Sequence, residues 1–307
     1  MSEYLDSPCS LTDNRIVSIE KDSNNRKDIM RTVSFMLCVT AMVFANDDGC
    51  TEILSSSSLP STDGITLSVL NTFSPGQMSL GMDIYEGSSS TLALAANPNS
   101  DMIQFYDASS GSPQASMDLS SANTNCFCAA FNDDLTNEVY YTDDWNNNNL
   151  FYTDDSGSTW ATVTSPVLDE GKGMDFDGTD YWITDFSLEV CRFQPGGSYE
   201  MLSTPQIPSQ LSGLTVFPYN GSICLAVTAY STLNIWFYTW NGSTLSFMGS
   251  APCPGSPQKS YGLAYSESRG TIFWSYKNSS EQFEIAELSF DITALSRNTW
   301  AGIKTSF

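Results

Sequence analysis

The feature that most restricts the fold of this sequence is an internal repeat of 40 to 49 residues. One marker of the repeat is a strand-like opening in which glycine precedes alternating residues, as in Gly81-Met82-Asp83-Ile84 and Gly173-Met174-Asp175-Phe176. Further copies begin at Gly213 and Gly262, and Cys128 replaces the glycine in a fifth copy. A fixed period of this length is typical of repeat architectures.

A glycine-containing turn recurs at nearly the same period. Glycine adopts positive φ angles without steric cost, which suits tight hairpin turns. Between the two markers, alternating aromatic and β-branched residues predict further strands, and no segment has sustained helical periodicity. The turn reads Ser110-Gly111-Ser112, Ser156-Gly157-Ser158, Gly196-Gly197-Ser198 and Asn241-Gly242-Ser243, with an earlier copy at Asp63-Gly64-Ile65.

Four strands in each repeat predict an all-β fold, a β-propeller with five four-stranded blades. The turn at Gly64 has no three strands before it, and the last repeat lacks a fourth strand. We therefore expect the strand 65–73 to complete the last blade and close the ring. Alternatively, the tail 294–307 supplies this strand or a sixth, partial blade, because Thr299-Trp300-Ala301 repeats Thr159-Trp160-Ala161.

An apolar run at 33–44 predicts a secretory signal peptide. The run is too short to span a bilayer as a helix, and Arg31 precedes it. Val43 and Ala45 supply small residues at the −3 and −1 positions of a cleavage site. We therefore expect translation to start at Met30 and the mature chain to be secreted, extracellular or periplasmic.

The sequence divides into five parts. The mature chain is expected to be a monomer with no membrane span after cleavage of the signal peptide. The parts are 1–29, a mis-assigned start or extended n-region; 30–45, the signal peptide; 46–62, a linker; 63–293, the β-propeller; and 294–307, a tail or final strand.

The composition excludes several classes of function. The chain of 307 residues has no histidine, which excludes Ser-His-Asp and Cys-His catalysis and His-ligated zinc or haem. Its 35 acidic and 12 basic residues give a formal net charge of −23, which argues against nucleic acid as a partner. Because many enzymes on this fold use histidine, the composition favours a binding function.

The stretch from Gly173 to Asp185, GMDFDGTDYWITD, resembles the repeats of secreted bacterial β-propellers of the broad YVTN/NHL-like type. The resemblance extends over about residues 64–293. It implies the architecture alone, since propellers carry many unrelated functions.

The turn TDDSGSTW at 153–160 resembles the Asp-box of sialidases and other propellers. In those families the Asp-box is structural and lies away from the active site. The resemblance therefore implies that Asp155, Gly157 and Trp160 form a structural turn. A sialidase would also need an arginine cluster for its carboxylate substrate, which these repeats do not supply.

Asp83 and Asp175 occupy the same position in two of the repeats. One hypothesis makes them a cation site or an acid/base pair, as in a propeller glycoside hydrolase or lyase. Such a pair needs carboxyl groups about 5–10 Å apart. The alternative is that both side chains cap backbone amides between blades.

The loops between the second and third strands of each repeat differ most from one another, and they lie on the usual ligand-binding face of a propeller. No organic cofactor is expected, but carboxylate and amide oxygens there also suit Ca²⁺. Ordinary polar turns are the alternative. The candidates for ligand binding are Asp143, Asp144, Trp145, Asp185 and Tyr230, and those for metal binding are Asp101, Asp143 and Asp144.

The leading hypothesis is a secreted, non-catalytic β-propeller that binds an extracellular protein or carbohydrate on its loop face. The alternatives are the glycoside hydrolase or lyase and an extracellular structural module. An exported chain with an even number of cysteines is also compatible with disulfides of undetermined pairing. These cysteines are Cys50, Cys126, Cys128, Cys191, Cys224 and Cys253.

Overall fold

Contacts mark Leu59–Phe307 as one compact unit. The computed structural model describes parts of this unit: 64–86, 90–95, 102–119, 122, 126–132, 135–143, 149–164 and 171–292. The predicted signal peptide, linker and C-terminal tail lie outside these residues. Within them every regular element is a β-strand, and no helix long and apolar enough to cross a membrane occurs.

The described strands form five antiparallel sheets, I to V, each with four strands. Sheets I to IV contain β2–β5, β6–β9, β10–β13 and β14–β17, and in each the strands pair in chain order. The strands are β1 (Thr66–Phe73), β2 (Gly81–Glu86), β3 (Ser90–Ala95), β4 (Met102–Asp107), β5 (Pro113–Asp118), β6 (Cys126–Asn132), β7 (Leu135–Asp143), β8 (Asn149–Thr153), β9 (Ala161–Thr164), β10 (Met174–Phe176), β11 (Tyr181–Thr184), β12 (Glu189–Phe193), β13 (Tyr199–Ser203), β14 (Leu211–Tyr219), β15 (Ser222–Ala229), β16 (Asn234–Trp240), β17 (Leu245–Pro252), β18 (Lys259–Ser266), β19 (Thr271–Lys277) and β20 (Phe283–Asp291).

Sheet V joins the beginning of the described chain to its end. Its strand order is β1-β20-β19-β18, so β1 takes the fourth position after three C-terminal strands. The pairing runs antiparallel from Thr66 opposite Asp291 to Phe73 opposite Ile285, with one bulge near Val69. The strand predicted at 65–73 thus pairs with the last described strand.

Apolar clusters fill the space between sheets that follow one another in the chain. Burying this apolar surface is the main stabilising contribution to such a fold. Sheets V and I share a cluster as well, in which Met82 packs with Ala264, Phe273 and Ile285. Sheet I therefore packs against sheet V on one side and sheet II on the other.

Glycines let the first strands of neighbouring sheets approach closely. A Cβ atom added to Gly213 would lie 2.3 Å from the carbonyl oxygen of Tyr261, and one added to Gly81 would lie 2.6 Å from the Cα of Cys128. Real Cβ atoms do not come this near to backbone, so only glycine fits. This contact explains why the repeat openings carry glycine.

A small hydroxyl side chain on the second strand links each of three sheets to the next one. Thr184 accepts a hydrogen bond from the Gly173 amide at 2.9 Å and donates to the carbonyl oxygen of Ser212 at 2.6 Å. The same link recurs twice: Thr228 joins the Gly213 amide to the Tyr261 carbonyl, and Ser275 joins the Gly262 amide to the Ser79 carbonyl.

Candidate functional site

The carboxylate of Asp83 is engaged by backbone amides of two sheets. One oxygen accepts a hydrogen bond from the amide of Ile84 at 2.7 Å, and the other from the amide of Phe131 in sheet II at 2.6 Å. The side chain is buried. Its hydrogen bonds satisfy amides on the free edges of β2 and β6.

Asp175 makes the same link between sheets III and IV. It accepts hydrogen bonds from the amides of Phe176 and Val216, both at 2.7 Å, and from the hydroxyl of Thr215 at 2.6 Å. These hydrogen bonds fit the alternative in which both aspartates cap backbone amides between sheets.

Both aspartates line one cavity with a volume of about 410 Å³. It lies where the first strand of each sheet turns into the second, which we call the turn end. Strands β2, β6, β10, β14 and β18 all contribute to its wall. The opposite end, where second strands connect to third strands, is the one at which ligand binding was predicted, and we call it the loop end.

Glu86 and Glu267 bring further negative charge to this cavity. Burial acts to raise the pKa of Glu86, but hydrogen bonds from Ser266 and Ser268 outweigh it and leave the pKa below its usual value. Burial, with help from both glutamates, raises the pKa of the nearby Tyr265. Glu86 is therefore ionised and Tyr265 is protonated at neutral pH.

At the loop end, several aromatic rings lie in contact with lysine ammonium groups. The ammonium of Lys172 lies 4.1 Å from the ring centroid of Phe127 and 4.4 Å from that of Phe186. The ammonium of Lys259 lies 4.2 Å from the ring of Tyr230. Contacts of this kind are favourable because a ring face attracts a cation.

Tyr261 connects the two halves of this group. Its ring lies 5.9 Å from that of Tyr230 and 6.2 Å from that of Phe283, and it shares an apolar cluster with Phe127. Burial raises the pKa of Tyr261, with a smaller contribution from Tyr230. We call Phe127, Lys172, Phe186, Tyr230, Lys259 and Tyr261 the lysine–aromatic group.

The structure describes three of the residues predicted to bind ligand, Asp143, Asp185 and Tyr230. Tyr230 belongs to the lysine–aromatic group, and Asp185 is buried immediately before Phe186. Asp143 ends β7, where its backbone pairs with Cys126. The other candidates for ligand or metal binding, Asp101, Asp144 and Trp145, lie outside the described residues.

Sequence reasoning missed Lys172, Phe127, Phe186, Lys259 and Tyr261. Three of them, Phe127, Lys172 and Tyr261, directly precede the openings at Cys128, Gly173 and Gly262. The available signal was therefore positional: large or charged side chains at the same place before three repeat openings.

The predicted structural turn at 153–160 is held by Asp155. Its carboxylate accepts hydrogen bonds from the Thr159 amide at 2.8 Å and from the hydroxyls of Thr153 and Thr159. These bonds, above all the one from the Thr159 hydroxyl, lower the pKa of Asp155. Gly157 has a φ of 85°, and Trp160 packs against the cluster between sheets I and II.

Three of the cysteines are buried free thiols, which departs from the expectation of disulfides. Burial, followed by the charge of Asp185, raises the pKa of Cys191 to about 12. Burial raises the pKa of Cys224 to about 11 and that of Cys253 to about 12. Among the described residues, no cluster of three carboxylate or thiol side chains is placed to hold a metal ion.

Comparison with known proteins gives the fold. No family model matches the sequence, and no curated protein matches it. The chain is similar to Myxococcus xanthus glutaminyl cyclase, with a TM-score of 0.53 and 14% identity over 74% of this chain and 97% of that one. It is also similar to a chain of a nidogen/laminin complex, with a TM-score of 0.51 and 10% identity over 70% of this chain and 86% of that one. These are β-propeller proteins, so the likeness shows a β-propeller.

Proposed function

We propose that this chain is an exported, five-bladed β-propeller that binds an extracellular protein or carbohydrate at its loop end. Five four-stranded sheets support the blade count, and the contacts of sheet I with sheets V and II support a ring. The pairing of β1 with β20 supports closure of that ring by the N-terminal strand. Export rests on the signal-peptide pattern at 30–45.

The lysine–aromatic group is the observation that carries the binding function. Lys172, Lys259 and Lys277 lie at the loop end, and they are three of the five lysine and arginine residues in the described part of this acidic chain. Lys259 and Lys277 are cross-strand neighbours on β18 and β19. Half-buried rings beside ammonium groups suit a sugar ring that carries carboxylate or sulfate.

Lys172 has a positioning role in this proposal. The side chain is buried, with 5% of its surface exposed, between the rings of Phe127 and Phe186. Tyr230, Lys259 and Phe186 are half-buried and remain accessible to a ligand. The ligand would therefore contact these three side chains, and Lys172 would hold the rings in place.

Binding is favoured over hydrolysis by the hydrogen bonds of the two aspartates. Asp83 and Asp175 both bridge neighbouring sheets through backbone amides. A glycoside hydrolase of the predicted kind needs a pair of carboxyl groups available to act on the substrate, whereas these two are engaged by backbone amides. The similar structures include an enzyme and a chain of a laminin complex, so the fold alone does not decide between the two functions.

An oligosaccharide array tests the proposal. The array carries neutral glycans together with matched glycans that bear uronate or sulfate groups. We expect the protein to bind acidic members, and Tyr230→Ala or Lys259→Gln to weaken binding about ten-fold. Tyr199→Ala is the matched control, because Tyr199 is 44% exposed on β13, away from the loop end.

Either of two results would count against the loop end as the binding site. One is equal binding by the Tyr230→Ala, Lys259→Gln and control variants. The other is hydrolysis of an array glycan that Asp175→Asn abolishes, which would restore the enzyme hypothesis. Thermal melting of each variant checks that the fold is intact.

Calcium binding at the loop 143–147 stays a separate proposal. Its acidic and amide side chains are suitable Ca²⁺ ligands. Ca²⁺ added after treatment with a chelator would raise the melting temperature by mass action if the site exists. The double variant Asp143→Asn with Asp144→Asn would remove that increase.

A further inference from the structure

The cavity at the turn end is a second site, separate from the lysine–aromatic group. Its volume of about 410 Å³ lies within the range of small-molecule pockets, about 300–1,000 Å³. Each of the five sheets contributes one aromatic residue to its lining from its first strand, and of these Tyr85, Phe176 and Tyr265 are half-buried whereas the other two are buried. The five residues are Tyr85, Phe131, Phe176, Phe217 and Tyr265.

The aromatic side chains of the cavity are arranged in part as pairs. The ring of Tyr85 lies 6.0 Å from that of Phe131, and the ring of Phe217 lies 5.2 Å from that of Tyr265. Both pairs bridge two sheets, which fixes the rings in place. The lining therefore combines fixed aromatic residues, whose ring electrons favour positive charge, with polar and acidic side chains.

The charge around the cavity is negative. Glu86 and Glu267 line it, as do Asp83, Asp175 and Asp177, and the described residues of its lining include no lysine or arginine. Arg269 interacts with Glu86 at longer range, but its guanidinium is held by Glu287 at 2.7 Å. Glu267 is exposed at the rim and has no hydrogen bond that competes for its carboxylate among the described contacts.

We propose that this cavity binds a small organic cation that carries an ammonium group. Half-buried aromatic rings beside carboxylates attract such a cation through the ring quadrupoles and through charge. A hard metal ion would instead need several oxygen ligands in one coordination sphere. Asp83 and Asp175 contribute negative potential, although their oxygens are already bound to amides.

Titration with tetramethylammonium chloride tests this proposal. The methyl protons of the ligand are followed by saturation-transfer NMR at constant ionic strength, with sodium chloride and calcium chloride as competitors. We expect saturable binding that neither salt displaces at equal ionic strength. Glu267→Gln should weaken it about three-fold, and Tyr85→Leu by at least as much.

Two features keep the result interpretable. Glu267 is exposed, so Glu267→Gln leaves the fold intact even if Tyr85→Leu does not. Glu200→Gln removes an exposed charge from β13, outside the cavity, and should leave the binding unchanged. Absence of saturable binding, displacement by Ca²⁺, or equal affinity in the Glu267→Gln and Glu200→Gln variants would each overturn the proposal.

Discussion

The carboxylate of Asp83 and the amide of Phe131 lie 2.6 Å apart across the boundary between sheets I and II. The bond ties together two first strands that have no backbone ladder with each other. Asp175 and Val216 repeat it at 2.7 Å between sheets III and IV. Two carboxylates at equivalent positions thus hold neighbouring sheets together through hydrogen bonds.

Replacement of either of these aspartates should destabilise the fold. Asp175→Ala leaves two amides and one hydroxyl in a buried site without their acceptor, and we expect a loss of about 3 kcal/mol in the free energy of unfolding. Urea unfolding at neutral pH measures this loss. Asp154→Asn, at an exposed position, is the control and should change stability little. An equal effect of the two substitutions would argue against the structural role.

Removal of one hydroxyl link between sheets should also destabilise the fold, even when the side chain keeps its shape. Thr184→Val keeps the volume but removes the bonds to the Gly173 amide and the Ser212 carbonyl, which should cost about 1–3 kcal/mol. Thr162→Val, on the exposed face of β9, is the matched control. Thermal melting of the two variants should differ, and identical melting temperatures would show that the link contributes nothing.

The glycine at a repeat opening should be irreplaceable for steric reasons. Gly213→Ala places a methyl group 2.3 Å from the Tyr261 carbonyl oxygen, and we expect a loss of about 3 kcal/mol. Gly197→Ala meets its nearest neighbour, Gln194, at 3.3 Å and should change stability by less than about 1 kcal/mol. Urea midpoints compare the two. A mild effect of Gly213→Ala would mean that the sheets can separate to accept it.

Acid should remove the stabilisation that Glu86 provides. Its folded pKa lies below the usual 4.5, so its contribution is fully present above pH 4.5 and is lost as the pH falls through the folded pKa. Glu86→Gln should therefore destabilise the protein at neutral pH, and its difference from the wild type should shrink in acid. Unfolding curves across this range, with Glu281→Gln as the exposed control, measure that difference. A constant difference would contradict the expectation.

The buried thiols should be inert in the folded protein. The pKa values of about 12 for Cys191 and Cys253 keep both protonated at mildly alkaline pH, and only the thiolate reacts quickly. We expect slow labelling by a thiol-specific disulfide reagent until guanidinium unfolds the chain. Peptide mapping assigns the labelled residues. Rapid native labelling of Cys191 or Cys253 would show that these sites open readily.

The sequence predicted the strands better than the sites. The repeat openings can be recognised in the sequence because close packing of the first strands requires glycine at several of them, as at Gly213. The lysine–aromatic group has no such periodic signal. Phe127, Lys172 and Tyr261 stand at matching places but differ in type, and their contacts depend on which sheets are neighbours in space.

The roles of Asp83 and Asp175 also needed the structure. Their equivalence was visible in the sequence, but the choice between acid/base chemistry and hydrogen bonding depends on which atoms of the next sheet face them. The cavity at the turn end could not be predicted from the sequence either, because its five aromatic residues come from strands far apart in the chain.

The pairing of β1 with β20 has a consequence for the order of folding. During synthesis β1 leaves the ribosome long before its partner β20 has been made. Until then the backbone amide and carbonyl groups of β1 that later bond to β20 have no strand partner. The last sheet becomes complete only when the whole domain has emerged, and such long-range pairing is slow to form. Sheet V thus stays incomplete, with β1 lacking its only strand neighbour among the described residues, until β20 has been synthesised.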